Sequence, residues 1–170
     1  MRRIATFFLL TSTLLIAACS HRDISYKDDI KKALEQAELK DVRVSENQDK
    51  NTITLEGTLH SDAAKAKAVE VAKAAANTRI IANEISVQPV GSESQAKAVA
   101  SNLDEGIEKN YRAALISNGL DKQHVSFNAK NGLLLLTGSV RSAGDRQRAG
   151  KLAAGIPNVQ QVLNQLEVRR

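Results

Sequence analysis

The chain of 170 residues repeats itself at an offset of 81 residues, and this duplication limits its fold more than any other feature. The stretch from Leu55 to Val87 aligns without a gap with the stretch from Leu136 to Val168. Residues identical at this offset include Leu34 and Leu115, Leu55 and Leu136, Gly57 and Gly138, Ser61 and Ser142, Ala68 and Ala149, and Asn83 and Asn164. Because such a repeat marks a repeated structural unit, we expect two copies of one small domain.

Apolar residues in the first copy follow a helical period and then a strand period. The face of the predicted first helix consists of Ile30, Ala33, Leu34 and Ala37. Alternation of apolar and polar residues predicts strands at 42–45, 53–59 and 81–87. Ser61 is a suitable N-cap for the helix between the last two strands. That helix is expected to bury Ala64, Ala68, Val71, Ala72 and Ala75.

The order of these elements predicts an α+β fold, with two helices packed on one face of a three-stranded mixed sheet in each copy. A strand, helix, strand crossover is right-handed, so the second and third strands should be parallel. Asn131-Gly132 is a strong hairpin signal, whereas Asp49-Lys50-Asn51 in the first copy is a weaker one. We expect Gly57 to allow close packing of the alanine-rich helix on the sheet, and Gly119 to end the first helix of the second copy.

Two short motifs in each copy resemble the BON domain. One is L-x-G-x-[LV], at 55–59 and 136–140, and the other is V-x-N-x-[LI]-x-V, at 81–87 and 162–168. The layout resembles the dual-BON outer-membrane lipoproteins and osmotically inducible periplasmic proteins of Gram-negative bacteria. This resemblance implies association with lipid and a role in maintaining the cell envelope. The predicted division is a lipoprotein signal peptide at 1–18, a tether at 19–25, a first domain at 26–88, a linker at 89–101 and a second domain at 102–170.

The N-terminus has the pattern of an export signal. Arg2 and Arg3 precede an apolar run that ends at Ala18, which is too short to span a bilayer and suits a signal peptide. Residues 16–19, Ile-Ala-Ala-Cys, resemble a lipobox, and Cys19 is the only cysteine in the chain. We therefore expect a covalent lipid anchor on Cys19 and no other cofactor. Ser20 at the next position resembles the pattern that is sorted to the outer membrane, facing the periplasm.

Charge is divided unevenly between the two copies. Residues 27–88 carry ten Lys and Arg against eleven Asp and Glu, whereas residues 102–170 carry ten against six. The second copy is therefore the one expected to meet an acidic partner. Because the chain is predicted to be exported, anionic membrane phospholipids are a better partner than nucleic acid.

Four cations surround the second helix of the second copy, namely Arg141, Arg146, Arg148 and Lys151. Such a run of charge is consistent with a solvated helix face. It is also consistent with a surface that binds phospholipid headgroups, with each well-placed cation contributing roughly 1 kcal/mol. The sequence leaves both interpretations open.

Leu133 and Leu135 occupy outward positions of a strand whose inward positions are already apolar. The first copy has Thr52 and Thr54 at the equivalent positions. Either the first domain or the C-terminal tail covers these leucines, or they form an exposed patch for envelope proteins or for self-association.

No arrangement of residues indicates catalysis or a metal site. The three histidines, His21, His60 and His124, lack metal-ligand spacing, and no nucleophile is paired with a base. The leading hypothesis is therefore a non-enzymatic, acylated envelope protein that binds phospholipid and supports outer-membrane integrity under stress. The alternatives are a protein-protein interaction or assembly module of the envelope, and a binder of small ions or solutes.

Overall fold

The structure, a computed structural model, describes residues 25–169. Residues 1–24 and Arg170 lie outside this range. The predicted signal peptide at 1–18, the acylation site Cys19 and most of the tether at 19–25 therefore lie outside the described residues.

Both repeats form the predicted order of helix, two strands, helix and strand. The elements of the first repeat are α1 (Lys27–Gln36), β1 (Val42–Asn47), β2 (Thr52–Leu59), α2 (Asp62–Ala75) and β3 (Ile80–Val87). Those of the second are α3 (Glu93–Ser117), β4 (His124–Lys130), β5 (Leu133–Val140), α4 (Ala143–Ala154), β6 (Gln161–Asn164) and β7 (Glu167–Val168). The α+β fold is confirmed. The second sheet differs from the predicted three strands because two short strands, β6 and β7, take the position that β3 has in the first repeat.

Each sheet is mixed, as predicted. In the first repeat β1 is antiparallel to β2, and β2 is parallel to β3. In the second, β4 is antiparallel to β5, and β5 is parallel to β6 and β7. Each repeat has its own core between its helices and the inward side of its sheet, with Ile30, Leu55 and Ile85 in one and Tyr111 and Leu136 in the other. Tyr111 is fully buried, and this burial raises its pKa to about 12.

The two hairpins differ as their sequences indicated. Asn131 and Gly132 form a two-residue loop in which both residues have positive φ, 50° and 82°, as a type I′ turn requires. In the first repeat the loop has four residues, 48–51, and Asn51 alone among them has a positive φ, 51°.

Gly57 and Gly138 permit a close contact between strands, not between the helix and the sheet as the sequence suggested. A Cβ on Gly57 would lie 2.2 Å from the carbonyl oxygen of Asp41, just before β1. A Cβ on Gly138 would lie 2.1 Å from the carbonyl oxygen of His124, at the start of β4. Both glycines also have a positive φ, 139° and 97°. The glycine of the first motif therefore allows the first strand to begin directly against the second.

The linker predicted at 89–101 is a loop only as far as Ser92, because α3 begins at Glu93 and continues for 25 residues. Residues 93–105 contain neither glycine nor proline, so nothing in the sequence stops the helix there. The predicted boundary at 101 and 102 lies inside α3, and the two repeats are joined by five residues, 88–92.

The first helices of both repeats end in the same cap, but only one of them has the usual residue. Gly119 has φ 66°, and Leu120 donates to the carbonyl of Leu115, as in a Schellman motif. At the equivalent position Glu38 has φ 65°, and Leu39 donates to the carbonyl of Leu34. A residue with a Cβ is disfavoured in this conformation, so α1 ends with a strained residue.

The Glu38→Gly substitution is expected to raise the free energy of unfolding by roughly 0.5–1 kcal/mol, because glycine removes the left-handed strain but is more flexible when unfolded. The urea midpoint measures this change. Gly119→Ala is the matched control, and should lower stability by about 1 kcal/mol. A lower midpoint for Glu38→Gly would contradict the strain at α1.

Gly138→Ala is expected to lower the free energy of unfolding by more than about 2 kcal/mol, because the new Cβ would overlap the backbone of β4. Gly144→Ala in α4 is the control, since its Cβ would meet nothing closer than 3.6 Å and alanine favours a helix. The melting temperatures of both variants, measured by thermal unfolding, test this difference in stability. Equal melting temperatures would show that the strand contact is unimportant.

Candidate functional site

The basic helix α4 is held in place by a side-chain cap and two alanines. Ser142 is its N-cap, and the Ser142 hydroxyl accepts a hydrogen bond of 3.0 Å from the backbone N–H of Asp145. Ala149 and Ala153 are fully buried against the core, and Tyr111 donates a hydrogen bond to the carbonyl of Ala149 at 3.2 Å. The small side chains bring α4 close to the second core, so the rest of the helix surface faces solvent.

Arg148 and Lys151 lie together on the exposed side of α4. They line a shallow depression of 370 Å³ together with Gly144, Gln147 and Leu152. The Arg148 guanidinium pairs with the Asp145 carboxylate. Hydrogen bonds from Arg148, Ser142 and Gln123 lower the pKa of Asp145. Arg148 is thus the most tightly positioned cation of this surface.

Arg146 is separated from these two residues. Positions two apart on a helix do not face each other, and the Arg146 guanidinium reaches the carbonyl of Asn164 at 3.5 Å instead. Arg141 precedes the helix and is exposed. In the part of the chain that the structure describes, neither the Arg141 guanidinium nor the Lys151 ammonium has a hydrogen bond or ion pair. The four predicted cations therefore surround α4, and Arg148 and Lys151 alone among them share the depression.

Leu133 and Leu135 are not an exposed patch. Leu133 is 2% exposed and forms a small cluster with Ala82 of the first repeat and Leu163 of the second, and the partly buried Leu135 packs against this cluster. The first domain therefore covers the outward face of β5, which was one of the two alternatives for these leucines. The physical reason is that water contact with both apolar faces of β5 would be unfavourable.

Equivalent residues of the two repeats take part in this interface, but with different partners. Lys50, in the hairpin loop of the first repeat, lies 3.1 Å from Glu167 in β7. Asn131, in the hairpin loop of the second repeat, donates to the carbonyl of Glu84 in β3 at 2.8 Å. Ala82 and Leu163 are themselves equivalent residues. The interface is not symmetric, because the counterparts of Glu167 and Glu84 at the 81-residue offset are Ser86 and Gln165.

Gln161 is a residue of this interface that was not selected from the sequence. Its side-chain amide donates to the carbonyl of Ile81 at 2.6 Å and accepts from the N–H of Asn83 at 3.2 Å. It therefore pairs with β3 as a neighbouring strand would. Its counterpart in the first repeat is Ile80, so a polar residue replacing an apolar one at an otherwise repeated position was the available signal.

Lys130 joins the repeats at the rim of the interface. Its ammonium lies 2.6 Å from a carboxylate oxygen of Glu84 and 3.2 Å from one of Glu56. The hydrogen bond with Glu84 raises the pKa of Lys130, and Lys130 lowers the pKa of Glu56. All three residues are partly open to solvent, so this network contributes modestly to stability.

The asparagine of the second motif has a structural role in both repeats. The side-chain oxygen of Asn83 accepts from the N–H of Ile85 at 3.2 Å, and that of Asn164 accepts from the N–H of Leu166 at 3.2 Å. Each asparagine satisfies a donor on the free edge of its sheet, which explains its place in the motif.

Neither histidine of the described residues belongs to the apolar cluster around Leu133. His60 shares a hydrogen bond of 2.9 Å with the carbonyl of Gln88, and His124 is exposed at the start of β4. His21 lies outside the described residues. Across residues 25–169 no group of three or more His, Cys, Asp or Glu side chains is placed to hold a metal ion. Over the same range, no helix has the length and hydropathy needed to cross a membrane.

A curated protein is similar in sequence to much of this chain. Osmotically-inducible protein Y of Escherichia coli (strain K12) is 26% identical over 132 residues, which are 77% of this chain and 64% of that protein. The chain thus spans less than two thirds of the length of this curated relative.

Two solved structures of CdsD, a structural protein of the type III secretion system of Chlamydia trachomatis, are also similar. The C-terminal domain of CdsD is 14% identical, with 86% of this chain and 98% of that chain covered and a TM-score of 0.36. A second CdsD structure is 15% identical, with 84% and 91% covered and the same TM-score of 0.36. Superpositions this loose carry no argument about fold or function.

The family model of the BON domain matches residues 25–89 and 103–170. Each match spans one unit of helix, two strands, helix and strand, and together they cover most of the chain. The resemblance seen in the repeated motifs is confirmed, and the chain belongs to the BON-domain family.

Proposed function

We propose that this chain is a non-enzymatic, acylated envelope protein whose second BON repeat binds anionic phospholipid headgroups and which supports outer-membrane integrity under stress. The observation that carries the proposal is the charge of α4 and its flanks. Residues 141–155 contain four cations and one carboxylate, and all four cations are exposed. The wider second repeat has the same bias, whereas the first repeat is close to neutral.

The geometry favours Arg148 and Lys151 as the first contacts with a headgroup. They share one side of α4 and flank a depression, so a phosphate lying there would meet both. Lys151 has no competing carboxylate among the described residues, and Asp145 holds Arg148 in place. Arg141 adds charge at the start of the same helix, and Arg146 adds it on the other flank. Each cation near an anionic surface contributes about 1 kcal/mol.

An acyl anchor on Cys19 would make even weak headgroup contacts effective. A tether of a few residues keeps the first repeat near the bilayer, so headgroup binding becomes an intramolecular event at high local concentration. Two attachment signals together give stable membrane binding where one alone is marginal. The residue after Cys19 is Ser20, which supports sorting to the outer membrane, with the domains facing the periplasm.

The role under stress is supported by the similar protein from Escherichia coli, which is described as osmotically inducible. The competing function of an assembly module rested on Leu133 and Leu135. Their burial between the repeats removes that particular support.

Reversal of the charge on α4 is expected to abolish vesicle binding. The variant that combines Arg141→Glu, Arg146→Glu, Arg148→Glu and Lys151→Glu, in the non-acylated Cys19→Ser background, should bind phosphatidylglycerol vesicles at least about a thousandfold more weakly than its parent in a sedimentation assay. Vesicles of phosphatidylcholine should bind neither protein. The pair Arg148→Glu and Lys151→Glu should account for most of the loss.

The matched control reverses four exposed lysines of the first repeat, Lys31, Lys32, Lys40 and Lys73, and so changes the net charge equally. This control should retain most of the binding if α4 is the contact surface. Equal losses in the two variants would show a general effect of charge, and unchanged sedimentation of the α4 variant would exclude the proposal.

Cys19→Ser in the full-length precursor is expected to release the protein from the membrane fraction, because the acyl chains supply most of the anchoring free energy. Fractionation of cells that express each form measures this, and mass spectrometry of the N-terminal peptide detects the acyl groups. A variant that remains with the membrane to the same extent would contradict anchoring through Cys19.

A further inference from the structure

The outer edge of β3 is open along part of its length. β3 is an edge strand of its sheet. The N–H of Gln88 donates to the carbonyl of Leu59 in β2, and the N–H of Ile80 donates to the carbonyl of Asn51 in the loop before β2. Because alternate residues of a strand point to opposite sides, Ile81, Asn83, Ile85 and Val87 direct their N–H and C=O groups away from the sheet.

Part of this edge is already paired by the second repeat. The Gln161 amide occupies the C=O of Ile81 and the N–H of Asn83, and the Asn83 side chain occupies the N–H of Ile85. The Gln161 amide therefore makes the hydrogen bonds that the first residue of an added strand would make. Across residues 25–169, no such partner bonds to the next pair of edge groups, the C=O of Ile85 and the N–H of Val87.

Ile85 and Val87, which carry these unpaired groups, line a groove of 520 Å³ between the two repeats. The opposite wall is α3, which presents Val99 and Leu103 one turn apart. These side chains are 57% and 44% exposed, although both are large and apolar. The wall is held by Asp104, whose carboxylate accepts from the N–H groups of Asn131 and Gly132 at 2.7 and 3.1 Å. The groove thus has an apolar wall fixed opposite a strand edge.

Lys65 supplies a cation at the side of this groove. Its ammonium is half-buried and makes one long hydrogen bond, 3.4 Å, to the carbonyl of Asn131. Burial lowers the pKa of Lys65, whereas the nearby carboxylates of Asp62 and Asp104 act to raise it. In the described part of the chain neither carboxylate lies within ion-pairing distance of the ammonium, and Asp104 is engaged by two backbone donors. A half-buried ammonium without an ion pair favours a ligand that brings a carboxylate.

We propose that this groove binds an extended peptide of a partner protein, which adds as a strand to the edge of β3 at Ile85 and Val87. Apolar side chains of the peptide pack on Val99 and Leu103, and its C-terminal carboxylate pairs with Lys65. This is the strand-addition mode of peptide recognition, in which backbone hydrogen bonds give affinity and side-chain pockets give selectivity. A hydrocarbon chain fits the wall less well, because it would cover the N–H of Val87 and the C=O of Ile85 without bonding to them. This inference does not depend on headgroup binding by α4.

The test uses the full mature chain with Cys19→Ser and two probes. One is acetyl-Ser-Val-Ser-Val with a free C-terminal carboxylate, and the other is the same peptide ending in an amide. The carboxylate peptide at millimolar concentration should shift the amide resonances of Ile85, Val87, Val99 and Leu103 and slow hydrogen exchange at the N–H of Val87. The amide peptide should bind about tenfold more weakly, since it cannot pair with Lys65.

Two substitutions separate the backbone contact from the charge. Val87→Pro removes the outward N–H at the end of an edge strand, where proline is tolerated, and should abolish binding. Val168→Pro at the equivalent position of the second repeat should not. Lys65→Gln should lower the affinity for the carboxylate peptide to that for the amide peptide. Lys67→Gln, at an exposed lysine, should leave the affinity unchanged. Circular dichroism melts establish that each variant is folded.

Absence of saturable shifts with the carboxylate peptide would overturn the proposal. So would binding that leaves exchange at Val87 unchanged or that survives Val87→Pro in a folded protein. Decanoate is the probe for the alternative occupant. If decanoate shifts the groove residues and the peptide does not, the groove binds an alkyl chain and not a strand.

Discussion

The contact between the two repeats combines directional hydrogen bonds between the Gln161 amide and the free edge of β3 with the burial of Leu133. Each of these two hydrogen bonds contributes about 1 kcal/mol, which is small for a whole domain but is directional. The amide bonds to the C=O of Ile81 and the N–H of Asn83, whereas the next pair of edge groups, at Ile85 and Val87, has no partner among the described residues. Leu133, Leu163 and Ala82 are buried in the same interface.

The arrangement gives two nearly equal domains different surfaces. The outward face of the second sheet is covered by the first repeat at Leu133, whereas much of the outward face of the first sheet, with Glu56 and Thr58, is polar and partly open. Helix α3 is longer than α1 because it begins inside the predicted linker, and its extra turns form one wall of the groove. The basic helix α4 remains exposed on the second repeat. Duplication therefore produced a molecule whose two copies present different surfaces.

Much of the fold could be predicted because it depends on local patterns. The alternation around Leu55 and Leu136, the alanine stripe of α2 and the Asn131-Gly132 turn each specify an element from nearby residues alone. The role of Gly57 was predicted less well, because a strand glycine signals a close approach without indicating which neighbour approaches. The start of α3 at Glu93 was not predicted, since the sequence around Gln95 is compatible with both a loop and a helix.

The candidate surfaces were predicted only in part. The sequence identified Arg148 and Lys151 as cations of one helix, but it did not indicate the depression that they share or the contact of Arg146 with the carbonyl of Asn164. It also identified Leu133 as unusual without deciding what covers it. The contact of Gln161 was not predicted, because it joins residues about 80 positions apart that share no pattern. The groove beside Val87 was not predicted either, because it depends on how α3 packs beside β3.

The amino-acid sequence by itself determined the duplication, the α+β unit, the charge of the second copy and the candidate anchor at Cys19. These follow from composition, period and short motifs, which act over a few residues. The tertiary structure alone decided that Leu133 is internal, that Gln161 caps β3 and that Val99 faces an open strand edge. The reason is that the packing of one repeat on the other depends on the shapes of two folded surfaces, and those surfaces exist only after each repeat has folded.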